Sequence, residues 1–152
     1  MRKAIGALAA LLVLVTLIIA GCSSGSGKFA GTEAVIYRSS SCGCCSAFGS
    51  YLQGKGYQVK SVTQEYLAPI KKQYGVPPSL ETCHTTVIGG YFIEGHVPVE
   101  AIEKLLAEKP DIKGIGLPGM PSASPGMPGS KQGPFTISAV QRDGRITPFM
   151  VI

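Results

Sequence analysis

Three cysteines fall within four consecutive positions of the stretch SSSCGCCSAF, residues 39–48. Cys42 and Cys45 form a C-x-x-C pair, and Cys44 lies between them, next to Cys45. Thiols at this density can serve thiol–disulfide exchange, which needs two of them, or the binding of a soft metal ion, which can use all three. A disulfide between adjacent residues forms a strained small ring, so structural bridges alone explain the cluster poorly.

Few other side chains in the sequence could take part in such chemistry. A fourth cysteine, Cys83, is followed directly by His84, and the only other histidine is His96. Met120 and Met127 stand in a stretch rich in Gly and Pro. A methionine in such a loop can fill a gap in a neighbouring surface or offer its thioether to Cu(I), and the residues alone leave both uses open.

The fifth cysteine, Cys22, closes an N-terminal export signal. A basic start precedes an apolar run over residues 4–20 and a set of small residues, which is the three-part pattern of a signal peptide. The apolar run is slightly short for a spanning helix. The final IAGC resembles a bacterial lipobox, whose cysteine is lipidated; an uncleaved N-terminal anchor is the alternative. We predict a lipoprotein signal peptide over 1–21 and a periplasmic or cell-surface domain that is tethered to a membrane through lipid on Cys22.

The sequence beyond the signal peptide has the size and charge of one small domain. Residues 22–32 are rich in Gly and Ser and predict a flexible tether. Loss of residues 1–21 leaves a net charge of about +3, which is too low and too scattered for a nucleic-acid surface. We therefore expect no nucleic-acid partner, a core over residues 33–109 and a C-terminal extension over 110–152.

Hydrophobic periodicity predicts the elements that position these side chains. The core has the order βαβαββα, with strands over 33–38 and 57–62, helices over 45–56, 64–75 and 97–109, and a hairpin over 85–95 with a Gly-Gly turn. The Gly-, Pro- and Met-rich stretch 111–134 is predicted to be irregular. Two alternating runs within 135–152 predict a final β-hairpin.

This order predicts an α/β domain of the thioredoxin-like fold with a four-stranded mixed sheet. That fold holds its redox site in a C-x-x-C between the first strand and the first helix. Its third strand is antiparallel to the first, so the third strand starts and the fourth strand ends at the edge that carries the cysteine turn. Cys83, His84 and His96 are therefore expected beside the clustered cysteines, whose position at a helix N-terminus favours thiolates.

Two departures from thioredoxin-like oxidoreductases favour a metal site over simple thiol exchange. Cys83, His84 and Thr85 stand where those enzymes place a cis-proline. Ser41 stands where they have an aromatic residue before the first redox cysteine. Zinc in a Cys₃His arrangement also satisfies the ligand count.

The motifs CGCC, CHTTVIGGYFIEGHVP and GLPGMPSASPGM occur in this order and resemble the CopG-like copper-resistance family, which was long catalogued as a domain of unknown function with a C-x-C-C motif. The resemblance covers residues 33–150. It implies an exported thioredoxin-like domain with a C-terminal extension that binds copper and takes part in copper redox handling. The residues that match the soft or borderline ligand positions of the family are Cys42, Cys44, Cys45, Cys83, His84, His96, Met120 and Met127.

The sequence thus predicts a membrane-tethered protein that binds Cu(I) or Cu(II) at a multinuclear, thiolate-bridged site for copper resistance. Cys42 and Cys45 are the predicted redox pair, and copper-efflux components are the expected partners. Such a site uses the third cysteine, because thiolate sulfur can bridge two Cu(I) ions. The alternative functions are a thiol–disulfide oxidoreductase of the thioredoxin type, a zinc-binding domain and a domain stapled by structural disulfides.

Overall fold

The computed structural model describes residues 27–152, so the predicted signal peptide and Cys22 lie outside the described residues. The described strands form a single seven-stranded mixed sheet with the order β2-β1-β3-β4-β5-β6-β7. Among residues 27–152, three α-helices pack against this sheet. Within residues 27–152, no helix combines the length and the apolar character needed to cross a membrane.

The strands are β1 Glu33–Arg38, β2 Gln58–Thr63, β3 His84–Ile88, β4 Tyr91–Gly95, β5 Ile112–Leu117, β6 Thr136–Gln141 and β7 Ile146–Val151. The helices are α1 Gly43–Gly54, α2 Ala68–Tyr74 and α3 Val99–Glu108, with a short 3₁₀ turn at Pro78–Leu80.

The first half of the sheet has the strand order and directions expected from the sequence. β1 lies between β2, which is parallel to it, and β3, which is antiparallel to it. β3 and β4 form the predicted hairpin. Its turn residues Gly89 and Gly90 have φ values of 57° and 85°, a left-handed conformation that favours glycine and matches the twist of a tight hairpin.

The prediction of a four-stranded sheet was wrong, because the C-terminal extension continues the same sheet. Residues 112–117, which were predicted to be irregular, form β5 and pair with β4 in parallel. Glycines interrupt the apolar period of IKGIGL, yet Gly114 is needed there, since a Cβ would lie 2.6 Å from Cγ of Phe92. The predicted hairpin within 135–152 is confirmed as β6 and β7, which extend the sheet beyond β5.

Helices cover both faces of the sheet. α1 and α3 bury Phe48, Leu52 and Ile102 against one face in the main hydrophobic core. The other face carries a smaller cluster that includes Leu80 and Phe92. α2 begins at Ala68, later than predicted, because its proline has no N–H and is tolerated only within the first turn.

Four chain segments converge at one edge of the sheet. Arg38, at the end of β1, pairs with His84, at the start of β3. Gly95, at the end of β4, pairs with Leu117, at the end of β5. The turn before α1, the residues before β3, the residues after β4 and the loop after β5 therefore meet at the same edge.

Candidate metal centre

The C-x-C-C turn places its three cysteines around the start of α1. Cys42 is the extended residue that precedes the helix, and Cys44 and Cys45 lie in its first turn. Cys42 and Cys45 are one helical turn apart, with Cα atoms 5.4 Å from each other, and are joined by a disulfide. Cys44 is a free, half-buried thiol whose Sγ lies 3.6 Å from Sγ of Cys42.

The fourth cysteine completes a cluster of four sulfurs. Cys83 directly precedes β3, and its Sγ lies 3.4 Å from Sγ of Cys45 and 3.9 Å from Sγ of Cys44. All four sulfurs lie within 4.8 Å of one another. The convergence expected from the strand directions therefore brings together four sulfurs, and reduction of the Cys42–Cys45 disulfide would make all four available as thiolate donors for a soft metal ion.

Two imidazoles extend this cluster into the protein. Sγ of Cys83 lies 3.4 Å from Nδ1 of His84 and 3.7 Å from Nε2 of His96. Both histidines are fully buried, and their rings pack edge to face with centroids 4.9 Å apart. Cys83 therefore belongs to two groups with metal-ligand spacing, one made of four cysteines and one made of a cysteine and two histidines.

The ring nitrogens that face Cys83 are Nδ1 of His84 and Nε2 of His96. Nδ1 of His96 lies 2.7 Å from the carbonyl oxygen of Pro125. A carbonyl only accepts, so Nδ1 donates, and in the neutral ring Nε2 presents a lone pair on the side of Cys83. Nδ1 of His84 faces Sγ of Cys83, so a metal ion bound there would leave the ring proton on Nε2, which is buried without a hydrogen-bond partner among the described residues.

Burial sets the protonation states of the metal-free site. Desolvation, with a further contribution from the neighbouring Cys44, raises the pKa of Cys83 to about 12. Desolvation, followed by the charges of His96 and Lys71, lowers the pKa of His84 to about 3, and burial also lowers the pKa of His96. The imidazoles are thus neutral and ready to bind a metal at pH 7, whereas Cys83 would lose its proton on coordination.

The loop after β5 lies over the first turn of α1. In this loop the carbonyl oxygen of Pro125 accepts the hydrogen bond from Nδ1 of His96. The next residue, Gly126, has a φ of 83°. A Cβ on Gly126 would lie 2.7 Å from the backbone nitrogen of Phe48 and 3.1 Å from the carbonyl oxygen of Cys44. The close approach of loop and helix therefore requires a glycine at this position, as does the positive φ.

Six of the eight predicted ligands, namely the four cysteines and two histidines, are brought together in these two groups. The remaining two, Met120 and Met127, lie in the loop that contacts α1. Met127 is half-buried next to Gly126, whereas Met120 is 39% exposed. Their role as copper ligands stays a prediction.

A buried ion pair behind the cysteines was missed by reasoning from the sequence. Lys71 on α2 and Glu94 on β4 are 4% and 0% exposed, and their side chains form a salt bridge. Glu94 also accepts hydrogen bonds from the residues around Cys83. The available signal was Glu94 itself, a charged residue two positions after Phe92 and therefore on the same inward-facing side of a short strand.

Comparison with known proteins points to copper. Residues 80–127 match the family described as "Protein of unknown function, DUF411". The fold is similar to two solved structures titled "Copper resistance protein copG", Form 2 and Form 1, with TM-scores of 0.75 and 0.74. Each is 35% identical in sequence, and each alignment covers 80% of this chain and 98% of the other. No curated protein sequence matches the chain.

Proposed function

Because this chain belongs to the CopG-like copper-resistance family, we propose that it binds copper at the cysteine-rich edge of its sheet. One observation carries the proposal: four sulfurs and two neutral imidazoles form two ligand groups that share Cys83. A shared thiolate can bridge two ions, so the arrangement suits a multinuclear copper–thiolate site better than a single ion.

The donor set favours copper over zinc. A structural zinc site uses four ligands in tetrahedral geometry, whereas this edge offers four sulfurs and two nitrogens within a few ångströms. The C-x-C-C spacing is unusual for zinc. Thioethers bind Cu(I) and not zinc, so Met120 and Met127 would add to the copper preference as ligands or as a cover over the thiolates.

The redox state of the C-x-x-C pair would control how many sulfurs are available. In the disulfide form only Cys44 and Cys83 are free thiols among the described cysteines. Forming the disulfide releases two electrons and two protons from Cys42 and Cys45, and two Cu(II) ions would take up one electron each to become Cu(I). Interconversion of Cu(I) and Cu(II) at this edge is therefore part of the proposal.

Export and lipid tethering complete the proposed role in copper resistance outside the cytoplasm. They rest on the N-terminal sequence, which lies outside the described residues. The chain reaches β1 at Glu33 and arrives at the cysteine turn after Arg38, so the six residues of β1 separate the tether from the site by about 20 Å. Such a placement would leave the copper site open to copper-efflux partners on the side away from the anchor.

Thiol–disulfide exchange is the second candidate, and the disulfide at the start of α1 is the observation that favours it. Cys42 is half-buried and Cys45 is fully buried, so an external thiolate would attack the sulfur of Cys42 and release Cys45. A protein of this kind would reduce disulfide substrates at a rate that does not depend on copper. The copper proposal expects slow exchange of this kind, and exchange that stops when copper fills the site.

Competition between metals tests the proposal. The reduced protein would be prepared without oxygen, offered Cu(I) and Zn(II) together, and titrated with a Cu(I) chelator. We expect retention of Cu(I) in preference to Zn(II). Absence of measurable Cu(I) retention, or tighter binding of zinc than of copper, would contradict the proposed function.

A further inference from the structure

The buried ion pair lies on the face of the sheet opposite the two histidines. Successive side chains of a strand alternate between faces, so Thr85 points away from the face of His84, and Glu94 pairs with Thr85 across the hairpin. Lys71 reaches this face from α2. Burying two charges is costly, and apolar residues of similar size often serve stability as well or better, so stability alone is a weak reason for this pair.

The carboxylate of Glu94 binds the chain on both sides of Cys83. Oε1 accepts from the backbone N–H of Thr82 at 2.6 Å and lies 3.0 Å from the Thr82 hydroxyl. Oε2 accepts from the Thr85 hydroxyl at 2.6 Å. Lys71 donates to Glu94 and also to the Thr85 hydroxyl, at 3.2 Å, so the carboxylate is held in place while it binds Thr82.

Cys83 depends on this support because it lies just outside the sheet. The pairing of β3 with β1 begins at His84, and Thr82 and Cys83 precede it. Gly95 brings the end of β4 against Thr82, since a Cβ at Gly95 would lie 2.9 Å from Cγ2 of Thr82. The hydrogen bonds from Thr82 to Glu94 therefore fix the backbone that enters Cys83, the sulfur shared by both ligand groups.

We propose that Glu94 is the positioning residue for Cys83 and that Lys71 is its buried counter-charge. The expected effect on copper affinity rests on the proposed function, whereas the expected effect on the reactivity of the Cys83 thiol does not. Loosening the Thr82 backbone would let the sulfur of Cys83 move away from both the cysteines and the histidines. Groups that orient metal ligands typically change metal affinity about 10- to 100-fold when they are removed.

Two matched double variants separate positioning from stabilisation. Lys71→Met with Glu94→Gln removes both charges and keeps a carbonyl oxygen that can accept from Thr82. Lys71→Met with Glu94→Leu removes both charges and also the acceptor. Glu94→Asp, which keeps the charge balance but withdraws the carboxylate from Thr82, serves as a further variant should the leucine protein not fold.

Two readouts are needed, and the first requires no metal. In the metal-free disulfide form, the rate of alkylation by iodoacetamide would be measured at Cys83 and, as an internal reference, at Cys44. We expect the Cys83 to Cys44 rate ratio to rise at least threefold in the leucine variant and in Glu94→Asp, and to stay near the native value in the glutamine variant. Thermal unfolding of each protein would be recorded in parallel.

The second readout is Cu(I) affinity in the reduced proteins. We expect it to fall about 10- to 100-fold in the leucine variant, less in Glu94→Asp, and little in the glutamine variant. An unchanged alkylation ratio and unchanged copper affinity in the leucine variant and in Glu94→Asp would overturn the inference, whatever their melting temperatures. If the native protein binds no Cu(I), the proposed function fails, and the alkylation ratio still decides the role of Glu94.

Discussion

Replacing Gly126 by alanine tests whether the loop after β5 holds the copper site together. Both the positive φ of Gly126 and its contact with α1 oppose a side chain, since the new Cβ would meet backbone atoms of the helix at 2.7 to 3.1 Å. Backbone atoms of a helix cannot rotate away, so the loop itself must move. The displacement would break the 2.7 Å hydrogen bond between Pro125 and His96.

Gly119 in the same loop provides the matched control. It has nearly the same φ, 81°, but a Cβ there would meet no atom within 4 Å. The left-handed conformation costs a non-glycine residue about 1 to 2 kcal/mol, and Gly119→Ala should lose only that amount. Gly126→Ala adds the collision and the lost hydrogen bond, itself worth about 1 kcal/mol, so we expect a loss of about 2 to 4 kcal/mol.

Urea unfolding of the metal-free proteins and Cu(I) competition titrations would be compared. Gly126→Ala should also weaken Cu(I) binding about 10-fold or more, because His96 loses the group that orients its ring, whereas Gly119→Ala should keep the native affinity. Equal stability of the two variants, with native copper affinity in both, would refute the reasoning that the loop packs on α1 to orient His96.

Three further outcomes are expected. Cys44→Ser should lose copper, measured as metal per protein after anaerobic loading, while thiol counting still shows a disulfide in the C-x-x-C pair; native copper content would show that the third sulfur is not a ligand. Met120→Leu combined with Met127→Leu should weaken Cu(I) binding or speed copper-driven thiol oxidation, since a cover over the thiolates limits access; native values for both would leave the loop as a spacer with respect to copper. His84 should lower the free energy of unfolding of the metal-free protein by about 2 kcal/mol from pH 6.5 to pH 5, because the folded protein holds it neutral with a pKa of about 3 whereas the unfolded chain takes up a proton there. Urea unfolding should show a smaller loss in His84→Asn, where His96, whose pKa burial also lowers, still contributes; an equal loss in this variant would contradict the assignment to His84.

The convergence of cysteines and histidines could be predicted because strand direction alone decides which chain ends meet. Cys83 precedes the third strand and His96 follows the fourth, so the antiparallel hairpin returns both to the edge where β1 ends. The spacing of the C-x-x-C pair on one helical turn likewise follows from local geometry. Such features depend on the order of the helices and strands and on short distances along the sequence. The pattern of apolar residues predicts that order.

The features that were missed depend on contacts between distant segments. β5 has glycines where an apolar period was sought, and its pairing with β4 is what makes it a strand. The salt bridge between Lys71 and Glu94 joins residues 23 positions apart; the position of Glu94 on β4 indicates an inward-facing charge, but the pattern of α2 does not identify Lys71 as its partner. Similarly, the hydrogen bond from His96 to Pro125 forms only because the loop after β5 begins at the edge where the site lies.

X-ray absorption at the copper edge tests the central claim most directly, since it reports the atoms bound to copper. The reduced protein would be loaded with Cu(I) without oxygen and compared with the Cys83→Ser variant. We predict a Cu(I) spectrum dominated by sulfur neighbours in the native protein, with a loss of sulfur scattering when the shared thiol is removed. A shell of nitrogen and oxygen neighbours only, or an identical spectrum in the variant, would contradict the assignment of this edge as a copper–thiolate site.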